Sequence, residues 1–190
     1  MKKLKFFAIA VCTATFLLSG SLTAQNMKKD TKMVGGAEMY PSKNIVENAV
    51  NSKDHTTLVA AVTAADLVGV LQGEGPFTVF APTNAAFEKL PAGTVETLLK
   101  AENKKALQNV LTYHVIAGDF KAADVLAAIK SGNGTATFKT VNGVELIAML
   151  DGDAVKLKDA EGNVATVTLA DVNQSNGVIH VIDTVLLPGK

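Results

Sequence analysis

Only three side chains in this sequence, His55, His114 and His180, could serve as imidazole bases near neutral pH. No Gly-x-Ser-x-Gly elbow, phosphate-binding loop or His-Glu-x-x-His zinc motif accompanies them. The single cysteine, Cys12, lies in an apolar N-terminal stretch that export would remove. The sequence therefore predicts no catalytic residues, no cofactor and a protein that is not an enzyme.

Two acidic clusters, at residues 151–153 and 159–161, have the composition of a calcium loop. Both lack the full set of acidic positions and the terminal glutamate of such a loop, so they are predicted to be turns. His180 and Asp183 are three residues apart, which on a strand directs their side chains to opposite faces. Aliphatic residues flank His180 on both sides, which favours a hydrogen-bonded core histidine. No metal site is predicted.

The first 24 residues have the form of a secretory signal peptide. Three lysines precede an apolar run, 6–18, and small residues follow it up to Ala24. The run is too short to span a bilayer, so no stable membrane insertion is expected after cleavage near Ala24. Residues 25–40 are predicted to form a flexible spacer, and residues 41–188 a single domain. The mature chain would be extracellular or periplasmic and would contain no thiol.

Charge composition argues against nucleic acid as a partner. The whole chain has 18 basic and 18 acidic residues, and every basic residue is lysine. Without the leader's lysines the chain is weakly acidic, and it lacks the arginine that suits phosphate and base edges.

The elements needed to position these residues follow from hydrophobic periodicity. Helices are predicted over 43–51 (capped by Ser42), from 54 onward, after Thr83, Thr94 and Asn103, and over 122–129. Strands are predicted over 77–81, 113–116 and 178–187, with hairpins turning at 142–143 and 159–163. The last strand is nearly all apolar and is expected at the centre of the sheet. Helices followed by antiparallel strands predict an α+β domain.

Two strand-and-turn motifs stand out in this layout. The first comprises Thr78, Phe80, Pro82, Thr83, Asn84 and Phe87, and the second comprises Asn176, Gly177, His180 and Asp183. Their residue types suit a buried strand joined to a turn or helix cap. Tyr113 and His114 lie between the two motifs, with Leu111 and Val115 as aliphatic neighbours.

With these three segments in order, residues 42–188 resemble a single fasciclin domain. The resemblance implies a wedge of about seven mainly antiparallel strands, with short helices mostly in the N-terminal half. It also implies a secreted module that functions in cell adhesion or matrix binding. Its partner would be an extracellular or envelope protein or glycan, and self-association is possible. For Tyr113, His114, Leu111 and Val115 it implies partner recognition; packing between helices and sheet is the alternative, and we favour it.

Two other functions remain open from sequence. An apolar pocket between the helices and the sheet would indicate a module that binds a small molecule or lipid. A hydrolase whose site leaves no sequence motif is the weaker alternative. A closed core with a flat exposed patch would instead favour protein or glycan recognition.

Overall fold

The computed structural model describes residues 31–189. The predicted signal peptide and the first part of the predicted spacer lie outside these residues. The described chain begins with a hairpin of β1 (Lys32–Val34) and β2 (Ala37–Met39).

A seven-stranded sheet forms the frame of the domain. Its strands are β3 (Phe77–Pro82), β4 (Val115–Ala117), β5 (Thr135–Lys139), β6 (Glu145–Asp151), β7 (Ala154–Lys158), β8 (Val164–Gln174) and β9 (Gly177–Ile182). They lie in the order β4–β3–β9–β8–β7–β6–β5, with only β3 and β9 parallel. The Val141 amide just after β5 donates to the Val115 carbonyl of β4 at 2.8 Å, so the two edges of the sheet approach each other.

Seven α-helices lie within the described chain. They are α1 (Ile45–Ala49), α2 (Thr56–Ala64), α3 (Val68–Leu71), α4 (Asn84–Glu88), α5 (Thr94–Leu98), α6 (Lys104–Tyr113) and α7 (Ala122–Ser131). Short 3₁₀ helices, Lys53–His55 and Ala101–Asn103, precede α2 and α6. Six of the seven helices precede β4, so the predicted α+β arrangement of an N-terminal helical half and a largely antiparallel sheet is confirmed.

Hydrophobic cores lie on both faces of the central strands, which explains why β9 is apolar at nearly every position. Ile179 and Val181 pack with α1, α2 and α6, whereas Ile182 packs with α7 and the hairpins of β5 to β7. Alternation along a strand sends successive side chains to opposite faces. A strand buried on both faces therefore needs apolar residues throughout.

The structure corrects the predicted spacer. Residues 32–39 form the β1–β2 hairpin, whose Val34 and Met39 side chains are buried in the helical core. Gly35 and Gly36 turn the chain with positive φ, and the Lys53 amide donates to the Gly35 carbonyl. The assignment of 25–40 as a spacer is thus wrong for 32–39, because a Gly-Gly turn between two short alternating segments is a hairpin signal.

Several predicted boundaries also change. Asn44, rather than Ser42, caps α1, since its side chain accepts from the Glu47 amide. Residues 113–116 are not one strand: α6 runs through Tyr113, His114 caps its C-terminus, and β4 begins at Val115. The last strand ends at Ile182 rather than at 187, and the chain beyond it packs without forming a strand.

Candidate functional site

The first motif attaches the helical half to β3. The Thr78 hydroxyl donates to the Gly118 carbonyl at 2.7 Å and accepts from the Phe120 amide at 2.8 Å. Thr83 caps α4, as predicted, by accepting from the Ala86 amide. Pro82 is buried at the end of β3, and Phe87 packs against the helical core.

Asn84 extends this attachment to a second helix. Its Oδ1 accepts from the Thr57 amide at 3.0 Å, and its Nδ2 donates to the Lys53 carbonyl at 2.8 Å. The side chain therefore holds the start of α2 against the start of α4.

The second motif begins with an asparagine that ties three segments together. Asn176 Oδ1 accepts from the Ile45 amide at 3.1 Å. Asn176 Nδ2 donates to the Leu71 carbonyl at 2.8 Å and to the Gly73 carbonyl at 3.1 Å. The adjacent Gly177 has a φ of +150°, and a Cβ there would lie 1.9 Å from the Phe77 carbonyl oxygen. Only glycine permits this approach of β9 to β3.

Asn176→Ala is expected to lower the free energy of unfolding by about 2 kcal/mol, since three partly buried hydrogen bonds worth about 0.5–1.5 kcal/mol each are lost. Urea denaturation measures the change. Asn51→Ala, which removes one exposed hydrogen bond to Glu47, is the control and should change stability by less than about 0.5 kcal/mol. Equal effects of the two substitutions would contradict this role for Asn176.

His180 lies in the core as a hydrogen-bonded residue. Its Nε2 donates to the Phe120 carbonyl at 2.8 Å, and its Nδ1 accepts from the Asp171 amide at 3.3 Å. The ring stacks on Phe80, its neighbour in the parallel register, with centroids 5.6 Å apart. Burial lowers the pKa of His180 below its ordinary value. Both ring nitrogens are occupied, so the imidazole has no free position for a substrate or a metal.

Asp183, immediately after β9, contacts other segments than His180 does. Its Oδ1 accepts from the Thr166 amide at 2.8 Å, and its Oδ2 lies 3.4 Å from Lys89 Nζ. It thus links β8 to the end of α4 at a half-exposed position.

The four residues for which the family resemblance implied recognition are all buried. Tyr113 is 0% exposed, His114 3%, Leu111 6% and Val115 7%. The Tyr113 hydroxyl donates to the Glu145 carbonyl at 2.9 Å and accepts from the Ala160 amide at 3.1 Å. This geometry supports the packing alternative and offers no surface for direct contact with a partner.

His114 is fully engaged in the interior. Its Nδ1 donates to the Val110 carbonyl at 2.8 Å, and its Nε2 accepts from the Leu186 amide at 3.0 Å. Burial lowers the pKa of His114 to about 4. The neutral ring thus fastens the C-terminal segment to the end of α6.

Asp159 holds the same segment, a role that its local sequence does not indicate. The residue is 4% exposed, and its carboxylate accepts from the amides of Glu161, Asn163 and Leu187 and from the Asn163 side chain. These donors occupy both carboxylate oxygens. Asp159 is therefore a structural acceptor.

An apolar cavity of about 320 Å³ opens between α1, α2 and α3 on one side and β3, β4 and the end of α6 on the other. Its walls include Ile45, Val62, Leu71, Phe77 and Leu111. Among residues 31–189, no lysine and no carboxylate lines it. Such a volume is at the lower end of the range for small-molecule sites.

Three exposed valines surround the entrance of this cavity. Val50 and Val70 are each 55% exposed and Val141 is 48% exposed, and all three line the cavity. We call these three residues the valine rim. The sequence alone does not predict this exposure, because apolar residues are normally assigned to the core.

A polar groove of about 550 Å³ lies beside the cavity. It is lined by the loop from Gly73 to Pro76, by Asn44 and Asp119, and by the turn from Gln174 to Gly177. Gln72 lines both the groove and the cavity.

His55, the third histidine, lines neither the cavity nor the groove. His55 Nδ1 lies 2.8 Å from the Ser52 hydroxyl, both residues are buried, and burial lowers the pKa of His55. In the described part of the chain, no three His, Cys, Asp or Glu side chains are grouped as a metal site would need. Between residues 31 and 189, no helix is long and apolar enough to cross a membrane.

The described chain is thus an α+β domain with an apolar cavity beside a polar groove, and the polar side chains of its motifs are hydrogen-bonded within the domain. The fasciclin domain model matches residues 53–188. The chain therefore belongs to the fasciclin family, which includes cell-adhesion proteins.

Its relatives include bacterial proteins. Protein sll1483 of Synechocystis sp. is 50% identical over 160 residues, which cover 82% of this chain and 79% of the relative. The cell surface glycolipoprotein MPB83 of Mycobacterium bovis is 36% identical over 145 residues, which cover 74% of this chain and 58% of the relative. A solved FAS1 domain pair from the insect cell adhesion molecule fasciclin I aligns at 22% identity and a TM-score of 0.46, over 74% of this chain and 43% of that one.

Proposed function

We propose that this protein is a secreted, non-enzymatic module that binds an extracellular or envelope partner in cell adhesion or matrix binding. Membership of the fasciclin family supports this function, and one relative is a cell surface protein. The proposal includes export by the leader and its cleavage near Ala24, which would leave about 166 residues, enough for a single domain.

The observation that carries the proposal is the valine rim. Large apolar side chains that are half exposed and grouped on one surface are typical of interaction sites. Val50, Val70 and Val141 meet this description, and the cavity between them can accept an apolar side chain of a partner. A protein partner therefore suits this surface better than a glycan does.

Val70→Asp is expected to weaken capture of matrix or envelope proteins by tenfold or more, because a charge at the centre of an apolar contact is strongly disfavoured. The mature domain is immobilised, captured proteins are identified, and the affinity of each is measured by surface plasmon resonance. Val164→Asp places the same charge at a 42% exposed valine outside the cavity and should leave binding unchanged. Equal binding by both variants, with unchanged melting, would contradict the proposal.

The cavity itself favours a second candidate function, the binding of a small apolar molecule. Its volume of about 320 Å³ and its nearly complete apolar lining support this function. Binding of alkyl compounds of increasing chain length tests it, as described below.

A further inference from the structure

The apolar cavity and the polar groove lie next to each other. Three segments cross from one to the other: Asn44–Ile45, Leu71–Gly73 and Pro76–Phe77. The Asn176 side chain binds two of these segments, through the Ile45 amide and the Leu71 and Gly73 carbonyls. The two compartments, which differ in polarity, therefore adjoin at Gln72, which lines both.

Apart from Gln72, which borders the groove, the polar side chains that line the cavity already have hydrogen-bond partners. The Thr63 hydroxyl donates to the Val59 carbonyl at 2.8 Å, and the Thr112 hydroxyl donates to the Gln108 carbonyl at 2.6 Å. His114 uses both of its ring nitrogens. A polar ligand group placed among these atoms would lose its hydrogen bonds to water without replacement. Only hydrocarbon suits the interior.

The groove has the opposite character. Two carboxylates, those of Glu74 and Asp119, line it, and no lysine among residues 31–189 does so. Both side chains are exposed, and neither makes an ion pair or a side-chain hydrogen bond with any described residue. The groove thus attracts positive charge and repels negative charge.

We propose that the cavity and the groove together bind a single-chain amphiphile, with its hydrocarbon chain in the cavity and a positively charged head group in the groove. This inference rests on the second candidate function, and it adds the class of ligand. The cavity's volume of about 320 Å³ sets the length of the chain: at about 30 Å³ per water-sized group, it holds about ten methylenes.

The test is a titration of the mature chain with n-alkylammonium and n-alkanoate ions of six to fourteen carbons, below their micelle concentrations and at low salt. Affinity should rise about fourfold per methylene up to about ten carbons and then level off. Decylammonium should bind about three- to tenfold more tightly than decanoate, as expected for exposed charge pairs. Added salt should reduce this preference.

Charge variants test the head group separately from the chain. The double substitution Glu74→Gln and Asp119→Asn should abolish the preference for decylammonium. Asp153→Asn neutralises an exposed acid in a distant hairpin turn and should leave the preference intact. Equal or tighter binding of decanoate by the unaltered chain would overturn the head-group assignment. If chain-length dependence remained in that case, the second candidate function would still stand.

Filling the cavity tests the location of the chain. Val59→Phe occupies the cavity from α2 and should weaken decylammonium binding at least tenfold, whereas Val164→Phe lies outside it and should not. If the melting temperature of the Val59→Phe variant falls, Val46→Phe, which fills the cavity from α1, is used in its place. Full binding by a folded cavity-filled variant, or no binding of either ion series by the unaltered chain, would overturn the inference.

Discussion

Replacing Asp159 by alanine is expected to lower the free energy of unfolding by about 4 kcal/mol. This value is the sum of several charge-assisted hydrogen bonds, reduced because water partly solvates the donors that lose their acceptor. The carboxylate is 4% exposed and accepts four hydrogen bonds, at 2.8 to 3.0 Å. One of them comes from the Leu187 amide, 28 residues away. Its loss would free both the turn between β7 and β8 and the C-terminal segment that Leu187 joins to this turn.

Urea denaturation of the mature chain measures this effect. Asp153→Ala is the matched control, because Asp153 also lies in a hairpin turn but is exposed, and it should change stability by less than about 0.5 kcal/mol. Asp159→Asn should have an intermediate effect, since an amide keeps one acceptor oxygen. A loss for Asp159→Ala as small as that of the control would show that the C-terminal segment is held by apolar packing alone.

These two acidic turns show where sequence reasoning stops. Both 151–153 and 159–161 were predicted to be turns, and both are. Nothing in either local pattern distinguishes an exposed aspartate from a buried one. The difference comes from Leu187, which reaches Asp159 only because the chain after β9 passes over the β7–β8 turn. Such long-range placement depends on the assembled fold rather than on local spacing.

Local signals predicted much of the fold itself. The Asn142-Gly143 turn, the β7–β8 hairpin and the nearly all-apolar β9 each follow from patterns of fewer than a dozen residues. Tyr113 and His114 were misassigned to a strand because their neighbours are equally suited to a helix end. The His114 amide donates to the Leu111 carbonyl at 3.1 Å, so α6 runs through Tyr113.

The candidate site was less accessible to such reasoning. A cavity is a volume that side chains leave unfilled, and here six separate segments enclose it. The sequence could show that the helices are apolar, but their packing decides that Val50 and Val70 remain exposed at its entrance. Asn176 is an example: its residue type indicated a turn, and its three contacts show that it holds segments that line the cavity and the groove.

Acid is expected to destabilise the protein well above the range in which carboxyl groups ordinarily titrate. Burial lowers the pKa of His114 to about 4, whereas its ordinary value is 6.5. The folded protein therefore binds fewer protons than the unfolded chain between these values. The stability contributed by neutral His114 is complete above pH 6.5 and is lost as the pH falls toward 4.

The size of the acid effect follows from the pKa difference. At about 1.4 kcal/mol per pKa unit, His114 alone should account for about 2 to 3 kcal/mol between pH 7.5 and pH 4.5. His55 and His180 contribute with the same sign, because burial also lowers the pKa of each. Protonation of His114 at Nε2 removes the acceptor of the Leu186 amide, so the C-terminal segment should detach as the protein unfolds.

The His114→Gln variant isolates the contribution of His114 to the pH dependence of stability. The variant should be less stable than the unaltered chain at pH 7.5, because two buried hydrogen bonds are lost. Its further loss between pH 7.5 and 4.5 should be smaller by about 2 kcal/mol, because glutamine does not titrate. Urea denaturation at both pH values gives the four free energies. Parallel losses in the two proteins would mean that His114 is not the group whose protonation destabilises the fold, and that the neutral imidazole is not what holds Leu186 in place.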